Sequence, residues 1–268
     1  MRTPALPVLA ASAVLVLALA GCSGDPAPEP SVRPSGAASA PGDPSASAAP
    51  APTPATAAPA VETPVECESV DLSSGTVAGS DLGPCIQAVL VRYDSGTLTI
   101  SGDELAGTVV YHYDPMFEFR GDLETGAGPA SISFVDGVML LDDGNGPVVA
   151  DVDASEPAQQ EAGATAEIYR VLADPGFIGD LIGGSDSWRV SAAPESVETP
   201  DGAVDAYRIE STAAYSWYDI PVDAYTLWLT EDYRPVAAES TTGFLGRTAT
   251  LTQQLSGLGE PVSITPLS

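Results

Sequence analysis

Short segments that alternate polar and apolar residues dominate the chain from residue 97 onwards. The alternation is most regular in residues 97–101, 131–134 and 248–252. A period of two buries one face of a strand and exposes the other, which is typical of an antiparallel sheet. Asp136-Gly137 separates two such segments and indicates a hairpin turn. Further strands are predicted at residues 108–113, 117–120, 138–141, 148–152, 188–191, 206–211, 225–230, 235–241 and 262–265.

One helical region, residues 155–182, interrupts the strands. Ser155 is suited to cap a first helix, and a proline follows within its first turn. Asp174 and Pro175 mark the start of a second helix, which Gly183-Gly184 ends. Its apolar face carries Phe177, Ile178, Leu181 and Ile182. The pattern predicts an α+β domain, in which a helical pair is inserted into a long antiparallel sheet.

The first 22 residues have the pattern of a secreted, lipid-anchored protein. An apolar run over residues 6–20 follows a short positive start and leads to Cys22. Small residues before a cut site are typical of a signal segment, and a cysteine directly after it is the lipobox of bacterial lipoproteins. We predict a signal peptide at residues 1–21 and acylation of Cys22, which would place the protein at the outer face of the cytoplasmic membrane. The alternative is an ordinary signal peptide with a chance cysteine.

Residues 22–65 form a predicted tether. Proline and alanine make up about half of this segment, which contains no aromatic residue, leucine or isoleucine. Such a composition cannot bury enough apolar surface to offset the entropy of ordering the chain. Fully extended, the segment would reach about 130 Å. The folded domain is therefore predicted at residues 66–268.

The charge balance excludes one class of partner. The chain has 37 acidic residues against nine arginines and no lysine, which gives a net charge of −28. Phosphate backbones repel such a surface, so nucleic-acid binding is excluded. Anionic lipid headgroups repel it as well, so membrane attachment must come from the N-terminal acyl anchor. The exclusive use of arginine, with abundant alanine, glycine and proline, is associated with GC-rich genomes such as those of actinobacteria.

Two cysteines, Cys67 and Cys85, remain once Cys22 is assigned to the anchor. In an oxidising compartment two thiols most simply pair with each other, so we predict a disulfide. A metal site is the alternative, but the chain has a single histidine, His112, and no second thiol pair. No metal or cofactor is therefore expected.

Several segments of the chain are similar to a known family. They are residues 134–138, 173–181, 225–232 with Pro235-Val236, and the closing residues 259–265. In this order they resemble the actinobacterial lipoproteins of the LppX/LprG type, within the LolA-like superfamily, over about residues 95–268. The resemblance implies an incomplete antiparallel barrel with helices on its concave face and a cavity for acyl chains between them. The chain departs from the family in its long tether, its cysteine pair and its acidity.

The space between a sheet and its helices is either filled by side chains or left as a dry, apolar cavity. Apolar residues of the predicted strands and of the second helix are the candidates to line it. They are Phe117, Phe119, Ile132, Phe134, Leu140, Phe177, Ile178, Leu181, Leu227 and Leu229. The alternative is that these side chains interdigitate as ordinary core.

A second candidate site is an aromatic cluster near residues 215–228. Residues 215–221 are predicted as a strand leading into a loop that a proline stops. Exposed aromatic rings at a rim bind sugars or partner proteins, whereas buried rings fill the core. The cluster consists of Tyr215, Trp217, Tyr218, Tyr225 and Trp228.

Catalysis has little support in the sequence. A triad needs a base, and His112 lies between two tyrosines in a predicted strand, where a structural role is the simpler interpretation. No catalytic residue is therefore predicted. Two hypotheses remain. The protein either carries a lipid or another apolar molecule at the membrane, or it is a tethered module that binds another envelope protein and holds no ligand.

Overall fold

The computed structural model describes residues 58–244 and 247–268. Cys22, the predicted signal peptide and most of the predicted tether lie outside the described residues. Three α-helices occur in the described part: α1 (Gly79–Tyr93), α2 (Pro157–Arg170) and α3 (Pro175–Gly183), and a 3-10 turn spans Val65–Cys67. The strands are β1 (Thr76–Ala78), β2 (Ser95–Gly102), β3 (Leu105–His112), β4 (Glu118–Thr125), β5 (Gly128–Val135), β6 (Val138–Asp142), β7 (Val148–Val149), β8 (Ser187–Val190), β9 (Glu195–Thr199), β10 (Gly202–Ser211), β11 (Tyr215–Trp217), β12 (Ile220–Leu229), β13 (Pro235–Phe244) and β14 (Arg247–Ser256).

The strands form one open antiparallel sheet. Its order is β1-β8-β10-β12-β13-β14-β2-β3-β4-β5-β6-β7, while β9 pairs with β10 and β11 pairs with β12. β1 and β7 lie at the two edges, so the sheet does not close on itself. The prediction of an incomplete antiparallel barrel with helices on one face is confirmed.

One face of this sheet, here called the inner face, carries the core. Register places Leu98 opposite Val109 and Leu255, and Phe119 opposite Phe134. Because side chains opposite each other share a face, the apolar members of each strand meet on the inner face. Ile209 and Leu227 continue it across the other half of the sheet. The alternation in the sequence therefore buries one face of each strand, as predicted.

Helix α1 was not predicted from the sequence. Its apolar residues recur at helical spacing and are buried, among them Leu82, Ile86, Val89, Leu90 and Tyr93. α1 runs antiparallel to α3, since Gly79 lies against Ser185 while Gly83 lies against Gly179. A β-carbon on Gly83 would stand 2.4 Å from the Gly179 carbonyl oxygen. The two helix backbones can approach this closely only because glycine occupies the contact.

The predicted disulfide is present. Cys67 and Cys85 are joined, and both are buried. The bond ties the 3-10 turn at the start of the domain to α1. Packing begins earlier than residue 66, because Ala58 and Val61 already contact the core. Within residues 58–244 and 247–268, no helix has the length and apolarity needed to cross a bilayer.

The opposite face of the sheet, the outer face, is covered by two segments. The hairpin of β9 and β10 folds over it, where Glu195 accepts a hydrogen bond from Trp228 Nε1 at 2.6 Å. The C-terminal segment crosses β4 and β5, and the Thr265 carbonyl accepts a hydrogen bond from Arg120 at 3.3 Å. Residues 262–265, predicted as a strand, pair with no neighbouring strand and form no element. Their alternation reflects contact with the outer face on one side only.

Candidate ligand-binding site between the helices and the sheet

A partly enclosed, mainly apolar cavity of about 40 Å³ lies between the helices and the inner face. α1 contributes Ile86 and Leu90, and α3 contributes Ile178. The remaining walls come from β2, β3, β12, β13, β14 and the residues that follow α2. They are Leu98, Tyr111, Tyr113, Leu172, Ala173, Tyr225, Leu227, Pro235, Ala237, Ala238, Gln253 and Leu255.

The polar groups around this cavity are neutral. Burial raises the pKa of the Tyr111, Tyr113 and Tyr225 hydroxyls above their ordinary range, so all three stay protonated at physiological pH. Tyr113 donates a hydrogen bond to the Ala173 carbonyl at 3.1 Å. The Tyr111 hydroxyl lies close enough to Tyr113 to influence the pKa of the Tyr113 hydroxyl. Within the described residues, the Tyr111 hydroxyl makes no hydrogen bond of normal geometry. The cavity is therefore suited to an uncharged guest.

A row of stacked aromatic rings extends from the cavity along the inner face. Successive ring centroids are 5.1 Å apart from Tyr111 to Tyr113, 5.6 Å to Phe117 and 5.4 Å to Phe119. Phe134 closes the row at 6.3 Å from Phe119. These rings fill the middle of the inner face.

Arg170, at the end of α2, lies above this row. Its guanidinium carbon is 5.3 Å from the centroid of the Phe134 ring. It also forms ion pairs with Glu167 at 3.6 Å and Asp174 at 3.3 Å. The last turn of α2 is thus held over the aromatic rings by charge as well as by packing.

A larger and more open cleft, about 600 Å³, lies under α2 on the same side of the sheet. Its apolar wall includes Leu141 and Val148 from the inner face and Ala158 and Ala162 from α2. Polar side chains stand among them: Thr125, Asp143, Asn145, Glu161, Thr165 and Tyr169. Tyr169 lines this cleft and Leu172 lines the enclosed cavity. The C-terminal turn of α2 therefore lies between the two spaces.

α2 is attached to the rest of the domain by small residues. Its buried positions are Ala162, Gly163 and Ala166, so little apolar area holds it in place. A β-carbon on Gly163 would come within 2.5 Å of the backbone at residues 151–152. A helix with few buried apolar contacts is among the first elements to move locally.

The structure distributes the predicted lining residues over several environments. Ile178 and Leu227 line the enclosed cavity. Phe119, Ile132 and Leu229 are fully buried in the core. Phe117, Phe134 and Leu181 are partly buried and pack against the core. Phe177 meets Trp217 edge to face beside a different groove.

Leu140 lies on the outer face, away from the cavity. It stands opposite Ser133, whose hydroxyl accepts a hydrogen bond from the Leu267 amide at 3.1 Å. Its neighbours Met139 and Leu141 point to the inner face, since consecutive residues of a strand alternate. The prediction that Leu140 lines the cavity is therefore wrong, because its side chain lies on the outer face. Met139 and Leu141 are the residues of β6 on the inner face.

Several cavity residues escaped the sequence analysis. Ile86 and Leu90 belong to the unpredicted helix α1, although their spacing carried a helical signal. Ala237 and Ala238 line the cavity because they are small, and nothing in a strand pattern distinguishes such an alanine from a filled core position.

His112 has a structural position. Its Nε2 lies 3.1 Å from Glu118 Oε2, and Glu118 Oε1 accepts a hydrogen bond from the Asp136 amide at 2.9 Å. The pair thereby connects the ends of β3 and β4 to the turn after β5. In the part of the chain that the structure describes, no group of three or more acidic, histidine or cysteine side chains is placed to hold a metal ion.

No protein-family model and no curated protein matches this chain. Among solved structures, the crystal structure of LprF from Mycobacterium bovis is similar, with a TM-score of 0.47 and 10% sequence identity. The match covers 71% of this chain and 97% of that one.

Proposed function

We propose that the protein binds an apolar, chain-like molecule, such as a lipid acyl chain, between the helices and the inner face of the sheet. A lipid on Cys22 would hold it at the outer face of the cytoplasmic membrane. The observation that carries the proposal is the partly enclosed apolar cavity, whose polar groups are all uncharged. A well-packed core leaves few voids larger than a water molecule, so a lined cavity at this place favours a guest.

The cavity is too small for an acyl chain in the described conformation. An engineered cavity that binds benzene measures about 150 Å³, whereas this one measures about 40 Å³. Binding therefore requires α2 and its last turn to move away from the inner face. This movement would join the cavity to the cleft of about 600 Å³ under α2. The alanine and glycine contacts of α2 keep the cost of such a movement low.

Each methylene of a guest that leaves water would contribute about 0.8 kcal/mol. A chain that buries six methylenes would gain about 5 kcal/mol, which would act against the cost of displacing α2. The acidic surface repels anionic headgroups, so neutral lipids or lipids with shielded headgroups are the favoured guests.

The anchor is tested by Cys22→Ser. Without the thiol no diacylglycerol can be attached, so the variant is expected to leave the membrane fraction for the medium or to accumulate as an uncleaved precursor. Fractionation followed by immunoblotting measures this. A variant that partitions with membranes like the wild type, at the size of the processed protein, would contradict the anchor.

The cavity is tested by Ala238→Val, with Thr241→Val as a matched control. Both positions lie on β13, but Ala238 lines the cavity whereas Thr241 pairs with Thr250 on the outer face. Two added carbons on residue 238 displace about two methylenes of a guest, which is about 1.6 kcal/mol or roughly tenfold in affinity. Titration of the full chain with a fluorescent fatty-acid ester, which is uncharged, reports the affinity.

Unchanged affinity in Ala238→Val, or an equal loss in Thr241→Val, would place the ligand elsewhere. Absence of any binding to the wild type would instead favour the tethered interaction module, which needs no stored ligand. The exposed ring of Tyr218, which packs beside Phe177 of α3, is the surface on which that second function would rest.

A further inference from the structure

A second groove, of about 490 Å³, lies along α1 and α3. It opens on the side of these helices that faces away from the strands lining the apolar cavity. Its floor is the backbone of Gly179, Gly183 and Gly184. One wall is the exposed side of α1, and the other is β11 with the turn that follows it. The residues of these two walls are Ser80, Pro84, Gln87, Asp180, Ser216, Trp217 and Tyr218.

An aromatic cluster borders this groove. The rings of Phe177 and Trp217 meet edge to face at 6.2 Å, and Trp217 and Tyr218 at 5.0 Å. Tyr218 is 68% exposed, the largest exposure of any large hydrophobic residue noted in the described part. The two neighbouring rings hold the tyrosine in a fixed orientation, with its own surface open to solvent.

Tyr218 also has an unfavourable backbone conformation. It occupies the two-residue turn between β11 and β12 with φ of 46°, and Asp219 follows with φ of 64°. Hairpin turns of this kind favour Asn-Gly or Asp-Gly, and a bulky residue at positive φ is an outlier. The two-residue turn itself requires positive φ at both positions, and the chain places an exposed aromatic residue there despite the cost.

The groove carries polar groups that are free to bind a ligand. Asp180 Oδ2 accepts a hydrogen bond of 3.3 Å from the Tyr218 hydroxyl and keeps its other oxygen. The side chains of Ser80, Gln87 and Ser216 are exposed and make no hydrogen bond to any described residue. Pro84 has no N–H with which to donate the helical hydrogen bond to the Ser80 carbonyl.

Trp217 adds a buried donor without a partner. Its indole Nε1 is buried and finds no acceptor within the described part of the chain. A buried indole N–H normally has a hydrogen-bond partner, and leaving one unmade is unfavourable. Trp217 lines the groove, so this donor lies beside the space that a ligand would occupy.

We propose that this groove binds a neutral carbohydrate, with a sugar ring stacked on Tyr218. The C–H face of a pyranose matches an exposed aromatic ring, and its hydroxyls match carboxylate, amide and hydroxyl partners such as Asp180 and Gln87. The net charge of −28 disfavours anionic glycans and phosphate-bearing polymers. The groove is open enough for an internal unit of a polysaccharide, and it does not depend on the apolar cavity.

Affinity electrophoresis of the full chain through gels containing dextran, mannan or galactan tests the proposal. We expect at least one of these neutral polysaccharides to retard the wild type. Tyr218→Asn and Asp180→Asn should each abolish at least nine-tenths of the retardation. Asparagine adopts positive φ readily, so the melting temperature of Tyr218→Asn should stay level or rise. Trp228→Phe, on the outer face under β9, is the control and should migrate like the wild type.

Three results would overturn the proposal. They are the absence of retardation by all three polysaccharides, equal retardation of the wild type and Tyr218→Asn, and an equal loss in Trp228→Phe. Binding of a protein partner that Tyr218→Asn abolishes, without retardation by any polysaccharide, would assign the groove to protein recognition. None of these results bears on the fatty-acid titration, so the two proposals fail separately.

Discussion

Replacing both Cys67 and Cys85 with alanine is expected to lower the free energy of unfolding by about 3 kcal/mol. The bond closes a loop with a sequence separation of 18, and its loss restores chain entropy to the unfolded state. Both residues are buried, so alanine also removes packing at the start of the domain. Urea denaturation of the full chain under non-reducing conditions measures the change.

The same experiment has an internal comparison. Reduction of the wild type should lower its stability to nearly that of the double variant, whereas the double variant should not respond to reductant. If the double variant were as stable as the oxidised wild type, the 3-10 turn at Val65–Cys67 would hold its position without the disulfide.

Gly83→Ala is expected to destabilise the protein by about 3 kcal/mol, since added bulk in a packed interface forces the backbone to shift. A β-carbon there would lie 2.4 Å from the Gly179 carbonyl oxygen and 2.9 Å from the Gly183 amide nitrogen. Both atoms belong to the backbone of α3, so no side-chain rotation can relieve the contact. α3 would have to move away from α1 and from the cavity that Ile178 lines.

Gly183→Ala is the matched control on the facing helix. The nearest atom to its added β-carbon is the Gly79 carbonyl oxygen at 3.8 Å, an ordinary contact. Alanine in place of glycine favours a helix by up to about 1 kcal/mol, so this variant should be neutral or slightly more stable. Thermal unfolding of the two variants compares them, and equal melting temperatures would contradict the close packing of α1 and α3.

The sheet could be predicted from the sequence because alternation is a local signal that survives in each strand. α1 could not, since Gly79, Gly83 and Pro84 read as helix breakers, although Leu82 and Ile86 repeat at helical spacing. The three residues are tolerated because they lie where α3 and the groove approach the helix. Contact with α3 thus stabilises a helix in a segment whose own helix propensity is low.

The lining of the site was predictable only in part. Residues 138–141 of β6 are all apolar. Without alternation, the sequence cannot tell which of them face inwards. Register with β5 decides this, placing Met139 opposite Phe134 and Leu140 opposite Ser133. Cavities depend on what several elements leave unfilled, as with Ala238 and Ile86 from β13 and α1. No segment carries that information alone.

Photo-crosslinking with an uncharged, diazirine-bearing fatty-acid ester shows directly where an apolar guest lies. The probe is bound to the full-length Cys22→Ser variant, irradiated, and the adducts are located by mass spectrometry. The account predicts adducts on inner-face and helix peptides that include Tyr169, Leu172, Ile178 and Ala238, and a reduced yield in Ala238→Val. Adducts confined to outer-face peptides such as residues 195–201, or no adduct above the level of an unrelated protein, would contradict it.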